Sequence, residues 1–481
     1  MTVAKNAPAS TGRLARNSVG IAHIIFFVVA AAAPLTAVVG ATPPAFAFGN
    51  GAGVPGAFVL AGLLYLLFSV GFTTMSRHVG GAGAFYTYIT QGIGKPAGVG
   101  GAFIALLTYS SVQIAVYGLL GLFTHNMMVE VGADLPWYVW SLGFLVLVHL
   151  AGQRNIAFSG AILGICMVAE IVILLLLNIA ILLAGGGPEG INLISFEPST
   201  VFSAGLGVTL VFVVGSFIGF EATAIFAEEV DRPEKTIPRA TYISVLLIAV
   251  FYAFSTWTIG LHYGPSKVQE TAAASLDAFY FGAATDVLGA WSATAMNLLL
   301  ITSLFACVLS FHNTLNRYFF ALGREGLAAR VLGKVHAVHG SPHVAGMLQS
   351  ALAATVIIAF ALAGQDPFAV VFSYMSALTV IGILTVQAVV CIAVILYFRK
   401  NSHGHGPWQT LVAPALSFVG LVGALGLVIS NLELLAGASN IVVDSFPLIV
   451  ALVGLGGVIF AMRIKGADPV RYAALGKVFE A

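Results

Sequence analysis

The sequence predicts an all-α protein that crosses a membrane many times, and three observations carry that reading. Of its 481 residues, 59% are hydrophobic and 8% charged, with a mean hydropathy of +1.00; a soluble globular chain carries about 25% charged residues. Apolar runs of about 18 residues or more recur along the chain, each long enough to cross the hydrocarbon layer as a helix. The basic residues alternate between loops in the way that fixes the orientation of membrane proteins.

Residues 1–17 are polar and basic (Lys5, Arg13, Arg16) and read as a tail. Twelve spans follow: 18–47, 54–76, 97–124, 134–151, 157–184, 203–227, 239–263, 287–322, 344–363, 367–398, 410–430 and 442–462. The first run is too long for a signal peptide and leads into further spans. The first and eighth are long enough to tilt or break. Residues 463–481 form a second basic tail. With the N-terminus inside, 19 of the 20 Lys and Arg fall in inside segments and only Lys267 falls outside, which places both ends in the cytoplasm of a plasma-membrane protein. Two acids remain within spans, Glu170 and Glu221.

Two spans are interrupted. The first carries Pro34, then Gly40 and Pro43-Pro44; the sixth carries Gly215 and Gly219 just ahead of Glu221. Pro34 removes a backbone donor and frees a carbonyl. Glycines let a helix open and expose its amides and carbonyls; taken alone, Gly215 and Gly219 also suit close helix packing. These spans are the first members of two groups of five. Breaks at matching places point to an inverted repeat, 18–184 and 203–398, with a binding site between the halves and spans eleven and twelve (410–462) outside it.

The stretch Ser216-Phe217-Ile218-Gly219-Phe220-Glu221, followed by Ala227-Glu228-Glu229-Val230, Pro233 and Ile237-Pro238-Arg239-Ala240, closely resembles segment six of the amino acid–polyamine–organocation permeases. Met75-Ser76-Arg77-His78 with Gly80-Gly81-Ala82-Gly83-Ala84-Phe85-Tyr86-Thr87-Tyr88 resembles the signature between their segments two and three. Arg317 to Gly326, and Ser341-Pro342, resemble the end of segment eight and its loop, apart from Ala328-Ala329 where relatives commonly place a proline. The resemblance implies a transporter with the five-plus-five repeat fold that moves a small amino acid, amine or polyamine by alternating access, with import coupled to protons or, alternatively, by substrate–product exchange. In amino-acid-binding relatives the first break carries a Gly-Ser/Ala-Gly triplet. Here Pro34-Leu35-Thr36 stands in that region, more like putrescine-importer relatives, so the resemblance implies a substrate that need not have a carboxylate.

Several residues are candidates for the chemistry. The amides near Leu35, Thr36 and Ala37 could take an anion at a half-helix N-terminus; a plain proline kink is the simpler reading. Tyr109, Gln113 and Tyr117 share one helix face and suit either a polar cavity wall, whose aromatic faces attract an ammonium, or interhelical hydrogen bonding. Ser216 to Phe220 lie at the second break, where Phe217 and Phe220 form a gate or simply pack; Ser373 and Tyr374 in span ten are weaker candidates. Glu170 sits near where sodium-independent relatives often place a lysine; it is either a proton-carrying carboxyl or a structural acid. Glu221 either couples binding to gating or braces the first span. Ala306-Cys307 stands where sodium-coupled relatives supply hydroxyls, with Ser303 and Ser310 nearby. His403-Gly404-His405 reads as a surface loop with no third ligand in the sequence around it, and His23, His149 and His312 read as structural.

Other classes find little support. Cys166, Cys307 and Cys391 lie in separate apolar runs, with no paired spacing for a metal, redox centre or disulfide. There is no nucleotide-binding loop, no HExxH, no GxSxG and no nucleic-acid signature. A non-transporting ligand sensor is disfavoured by the lack of a large soluble output domain. The expected partners are therefore the bilayer, protons and a small amine or amino acid, with no cofactor, metal or nucleic acid.

Overall fold

The computed structural model describes residues 32–79, 85–153, 157–221, 223, 232–336, 340–437 and 439–476. Of the features singled out above, Lys5, Arg13, Arg16, His23, the glycine run 80–84 and the charged turn 224–231 lie outside them. Every regular element among the described residues is helical. In chain order we name α1 (Thr36–Phe48), α2 (Gly51–Ser76), α3 (Phe85–Gly92), α4 (Lys95–Val129), α5 (Trp137–Gln153), α6 (Ala157–Leu183), α7 (Leu206–Gly215), α8 (Pro233–Tyr263), α9 (Val268–Ala274), α10 (Phe279–Leu288), α11 (Ala290–Arg324), α12 (His343–Leu362), α13 (Pro367–Lys400), α14 (Trp408–Ser430) and α15 (Ile441–Ala467).

Nine helices among the described residues are long and apolar enough to cross a membrane, counting α6 from Gly164. Three further apolar helices, α1, α5 and α7, are shorter and fall in the first, fourth and sixth expected spans. Prolines open α2, α4 and α8 in the first turn, where the missing N–H costs nothing.

The layering follows from burial. The most apolar windows of α4 and α13 are 72% and 78% buried, whereas those of α6, α12, α14 and α15 are 28–33% buried. The first pair therefore forms the interior and the others present Leu, Val and Ile outward, as helices facing lipid do. The helix α2 packs along α8, α4 touches α11, α13 and α15, and α14 lies against α13 and α2. The α4–α15 contact is close because both faces carry glycine: a Cβ on Gly457 would sit 2.8 Å from the Gly100 Cα. Such small-residue seams let helices associate where lipid supplies no hydrophobic drive.

Two helices that reach the interior open on widened π turns, α1 over Thr36–Ala41 and α13 over Pro367–Phe372. Such turns leave the regular hydrogen-bond ladder and are frequent at functional sites.

Candidate functional site

At the first break Ala33 takes a left-handed conformation, φ +41°, directly before Pro34. The carbonyl of Ala32 accepts a hydrogen bond from the Tyr252 hydroxyl of α8 at 2.9 Å. The amides beyond the break are all engaged within the protein. The Leu35 N–H donates to the Glu170 carboxylate, reaching over from α6. The Thr36 N–H and hydroxyl both donate to the Ser303 oxygen of α11, at 3.4 and 3.2 Å. The Ala37 N–H donates to the Ala33 carbonyl at 2.8 Å. Ser303 in turn bonds Glu170 with its side chain. Its oxygen takes both donors from Thr36, and its hydroxyl faces the carboxylate. Glu170 is 2% exposed. A buried carboxylate is tolerated where charge-assisted hydrogen bonds replace water.

At the second break α7 ends at Gly215 and the chain turns through Ser216 to Glu221. Gly219 holds φ +113°, a region closed to most side chains. Its N–H donates to one Glu221 oxygen at 3.0 Å, and the Tyr109 hydroxyl of α4 donates to the other at 2.7 Å. Glu221 is fully buried. The Tyr109 ring packs on Tyr318 of α11 with centroids 5.6 Å apart. An aromatic wall from α2 backs the turn: Tyr65 stacks on Phe217 at 5.0 Å and meets Phe220 edge-on at 5.1 Å, and Phe68 meets Phe220 at 6.0 Å.

Between the breaks lies a narrow cavity. Its polar lining is Thr36, Ser216, Ser376 and Thr379, with Gly215 and Cys307; its apolar lining includes Val112, Val116, Val211, Ile218, Phe311 and Phe372. No charged side chain lines it among the described residues. Three of the four hydroxyls have committed their protons elsewhere. Ser216 donates to the Phe212 carbonyl at 2.8 Å, Thr379 to the Met375 carbonyl at 2.7 Å, and Thr36 to Ser303. What those three leave for a ligand is lone pairs. The cavity also adjoins the C-terminal end of α7, which carries the negative end of the helix dipole.

The structure therefore divides the residues expected from sequence. Thr36, Ala37, Ser216 and Ile218 line the cavity. Pro34 and Leu35 shape the break behind it, and Gly219 and Tyr109 hold Glu221. Phe217 and Phe220 pack against α2. Gln113 donates to the Val308 carbonyl at 3.3 Å and accepts a close hydrogen bond from Gln349 of α12. The Tyr117 carbonyl accepts from Ser141 at 2.7 Å. Ser373 donates to the Phe368 carbonyl at 3.1 Å, and the Tyr374 hydroxyl accepts from Asn440 at 3.1 Å. Sequence reasoning did not single out Ser376, Thr379, Phe311 or Phe372. Hydroxyls at 376 and 379, three apart in an apolar helix that opens on Asp366-Pro367, were the available signal.

The comparisons with known proteins agree with this architecture. A low-affinity putrescine importer of Escherichia coli is 22% identical over 312 residues, covering 63% of this chain and 67% of its own length. A gamma-aminobutyric acid permease of the same organism is 25% identical over 316 residues, 63% and 65% of the two chains. A branched-chain amino acid permease of Lactococcus lactis is 24% identical over 399 residues, 77% and 81%. The pattern of the amino acid permease family matches residues 23–466, through both breaks and every cavity-lining position. The chain is thus a membrane transporter of the amino acid permease family, within the amino acid–polyamine–organocation permeases.

Proposed function

We propose that this chain is a secondary active transporter that carries a small amine with one ammonium and an apolar body by alternating access, coupled to proton movement at Glu170. The observation that carries the reading is the cavity lining: hydroxyl lone pairs and a helix C-terminus together with Val and Phe side chains, and no charged side chain among the described residues. An ammonium donates to lone pairs and is favoured at a helix C-terminus. The second ammonium of a diamine would have no acid to meet. A substrate carboxylate would find the amides of Leu35 and Thr36 already taken by Glu170 and Ser303. The relatives named above act on amino acids and on a diamine, so both are the natural competitors. In a stability-shift screen, bound ligand raises apparent stability by mass action. Apolar monoamines should give the largest shift, and a response confined to zwitterionic α-amino acids would overturn the substrate assignment.

Coupling follows from the hydrogen-bond order. With Glu170 charged, protons point from Thr36 to Ser303 and from Ser303 to the carboxylate. A proton added to Glu170 offers its own O–H to Ser303, which releases the Thr36 hydroxyl to point its proton into the cavity. That opposes an ammonium. The sequence led to joint import of proton and substrate; the hydrogen-bond order favours their alternation, an exchange of one for the other. Acidification on the loading side should then weaken amine binding, whereas joint import requires it to strengthen.

Orientation completes the proposal: twelve spans, both termini cytoplasmic, a repeat core over 18–398 and helices eleven and twelve attached to it. A cysteine placed near Lys267 should react with an impermeant reagent from outside, and one near Lys334 only after permeabilisation. Outside labelling at both would sink this topology.

A further inference from the structure

Loops far apart in sequence bring three imidazoles together on the face proposed as cytoplasmic. His78 follows α2, and His403 and His405 lie in the turn between α13 and α14. The Nε2 atoms of His78 and His405 are 2.8 Å apart. The His403 ring stacks on His78 at 4.5 Å and on Tyr397 at 5.7 Å. The turn is strained to place them: His403 sits at φ +49°, outside the usual range for a residue with a side chain.

The hydrogen bonds fix the tautomers. The His405 Nδ1 lies 3.2 Å from the Gln409 Oε1, an acceptor, so Nδ1 carries the proton. The His405 Nε2 then holds a lone pair and accepts the Nε2–H of His78.

We propose that His78 and His405 form a proton-operated latch that fastens the end of α2 to the turn between α13 and α14. The two helices pack on each other beside the proposed transport path. The helix α2 carries Tyr65 and Phe68 against the second break, and α13 carries Phe372, Ser376 and Thr379 into the cavity. The Tyr65 hydroxyl already donates to Gln387 of α13 at 3.2 Å, so the latch adds a second tie at the ends of the same pair. Loss of the latch frees these ends to separate.

The groups around the latch set its sign. His78 is acted on by burial, by His403 and His405, and by Arg77 on its own segment; these hold its imidazole below the ordinary histidine value. Tyr397 and Phe398 flank it from α13, Gln409 from α14, and Tyr242 of α8 lies near Arg77. No carboxylate among the described residues acts on His78. A proton added to His78 leaves its Nε2–H in place but sets a cation beside Arg77 and the two other imidazoles, so the closed arrangement is stabilised above the unfolded value, 6.5 here, and loses that stability as the pH falls through the lower folded value. The latch is therefore closed at neutral pH and opens on cytoplasmic acidification. A hydrogen bond of ordinary net worth shifts a two-state equilibrium roughly fivefold.

The first test needs no substrate, so its failure is distinguishable from failure of the substrate assignment. Hydrogen exchange of amides 401–409, corrected for intrinsic rate, is measured on the full chain in liposomes at pH 7.5 and 5.5 with a chelator present. The wild type should loosen roughly fivefold at the lower pH. His78→Ala, at an exposed position, should be loose at both. Equal protection of the wild type at both pH values, or a full pH response in His78→Ala, overturns the latch. A second measurement, exchange of the monoamine that gives the largest stability shift, made in a Glu170→Gln background with cytoplasmic-side pH varied at equal external pH, should show a change of similar size with His78 present and none once His78→Ala is added. A loop that opens while transport stays constant overturns its role in gating.

Discussion

The two helix breaks each hold one buried carboxylate, yet they hold it in opposite ways. Glu221 belongs to its own break. It is tied to an amide two residues back and to a tyrosine of α4, and neither donor lines the cavity. Glu170 comes from a different helix and is bonded to Ser303, which is bonded to Thr36 in the cavity wall. A carboxylate held within its own turn braces that turn. One that reaches the ligand site through a chain of hydroxyls can exchange information with it. Under the proposed mechanism the difference gives Glu221 the bracing role and Glu170 the proton-coupling role.

The sharpest way to break this contrast is to remove titration at one end. Glu170→Gln keeps the shape, removes the titration and exchanges one acceptor oxygen for an NH2 donor. We expect it to abolish pH-driven accumulation, a loss of at least about tenfold, the size of an ordinary coupling free energy, while substrate counterflow without a pH gradient persists. Uptake against external pH, in vesicles matched for folded protein, measures it; a wild-type pH response in the variant would transfer the coupling role to Glu221. The partner experiment is Tyr109→Phe, which takes one donor from Glu221. It should lower stability by about 1–3 kcal/mol, the cost of leaving a buried acceptor short, and leave the pH response in place. A normal melting temperature with an altered pH profile would reverse the assignment of the two acids.

A finer test cuts the wire and keeps both acids. Ser303→Ala should reduce the pH dependence of amine binding several-fold, a coupling loss of about 1 kcal/mol, and binding titrations at two pH values would show it. An unchanged pH dependence would mean that Glu170 acts without Thr36. The smallest effect concerns Cys307, which lines the cavity while Cys391 is buried elsewhere. Saturating substrate should slow its modification by a small thiol reagent by about the fraction of sites occupied; labelling indifferent to substrate would place the ligand elsewhere.

Much of the fold was legible in the sequence because lipid imposes so simple a demand. A span must satisfy its backbone internally, so hydropathy and length report helices directly. Pro34 and Gly219 were legible as breaks for the same reason, since few residue types permit those conformations. The partnerships were not. Thr36 and Ser303 are separated by 267 positions and His78 and His405 by 327. No periodicity within one helix encodes which neighbour it meets. Ser303 was visible only as one hydroxyl among several in an apolar helix. Gln113 looked like a cavity residue because it shares a helix face with Tyr109 and Tyr117, yet its side chain turns to Gln349 and Val308.

The arrangement at Glu170 bears on the membrane voltage. Moving one net charge across a potential of 100 mV involves about 2.3 kcal/mol. When an amine occupies the cavity, its ammonium and the Glu170 carboxylate sum to zero. When the amine leaves and a proton takes Glu170, the site is again neutral. Neither stroke then moves net charge across the field. A monoamine should be carried at a rate indifferent to voltage imposed by potassium and valinomycin, responding only to the pH difference, whereas a carrier without an internal carboxylate would be driven by the field on every loaded stroke.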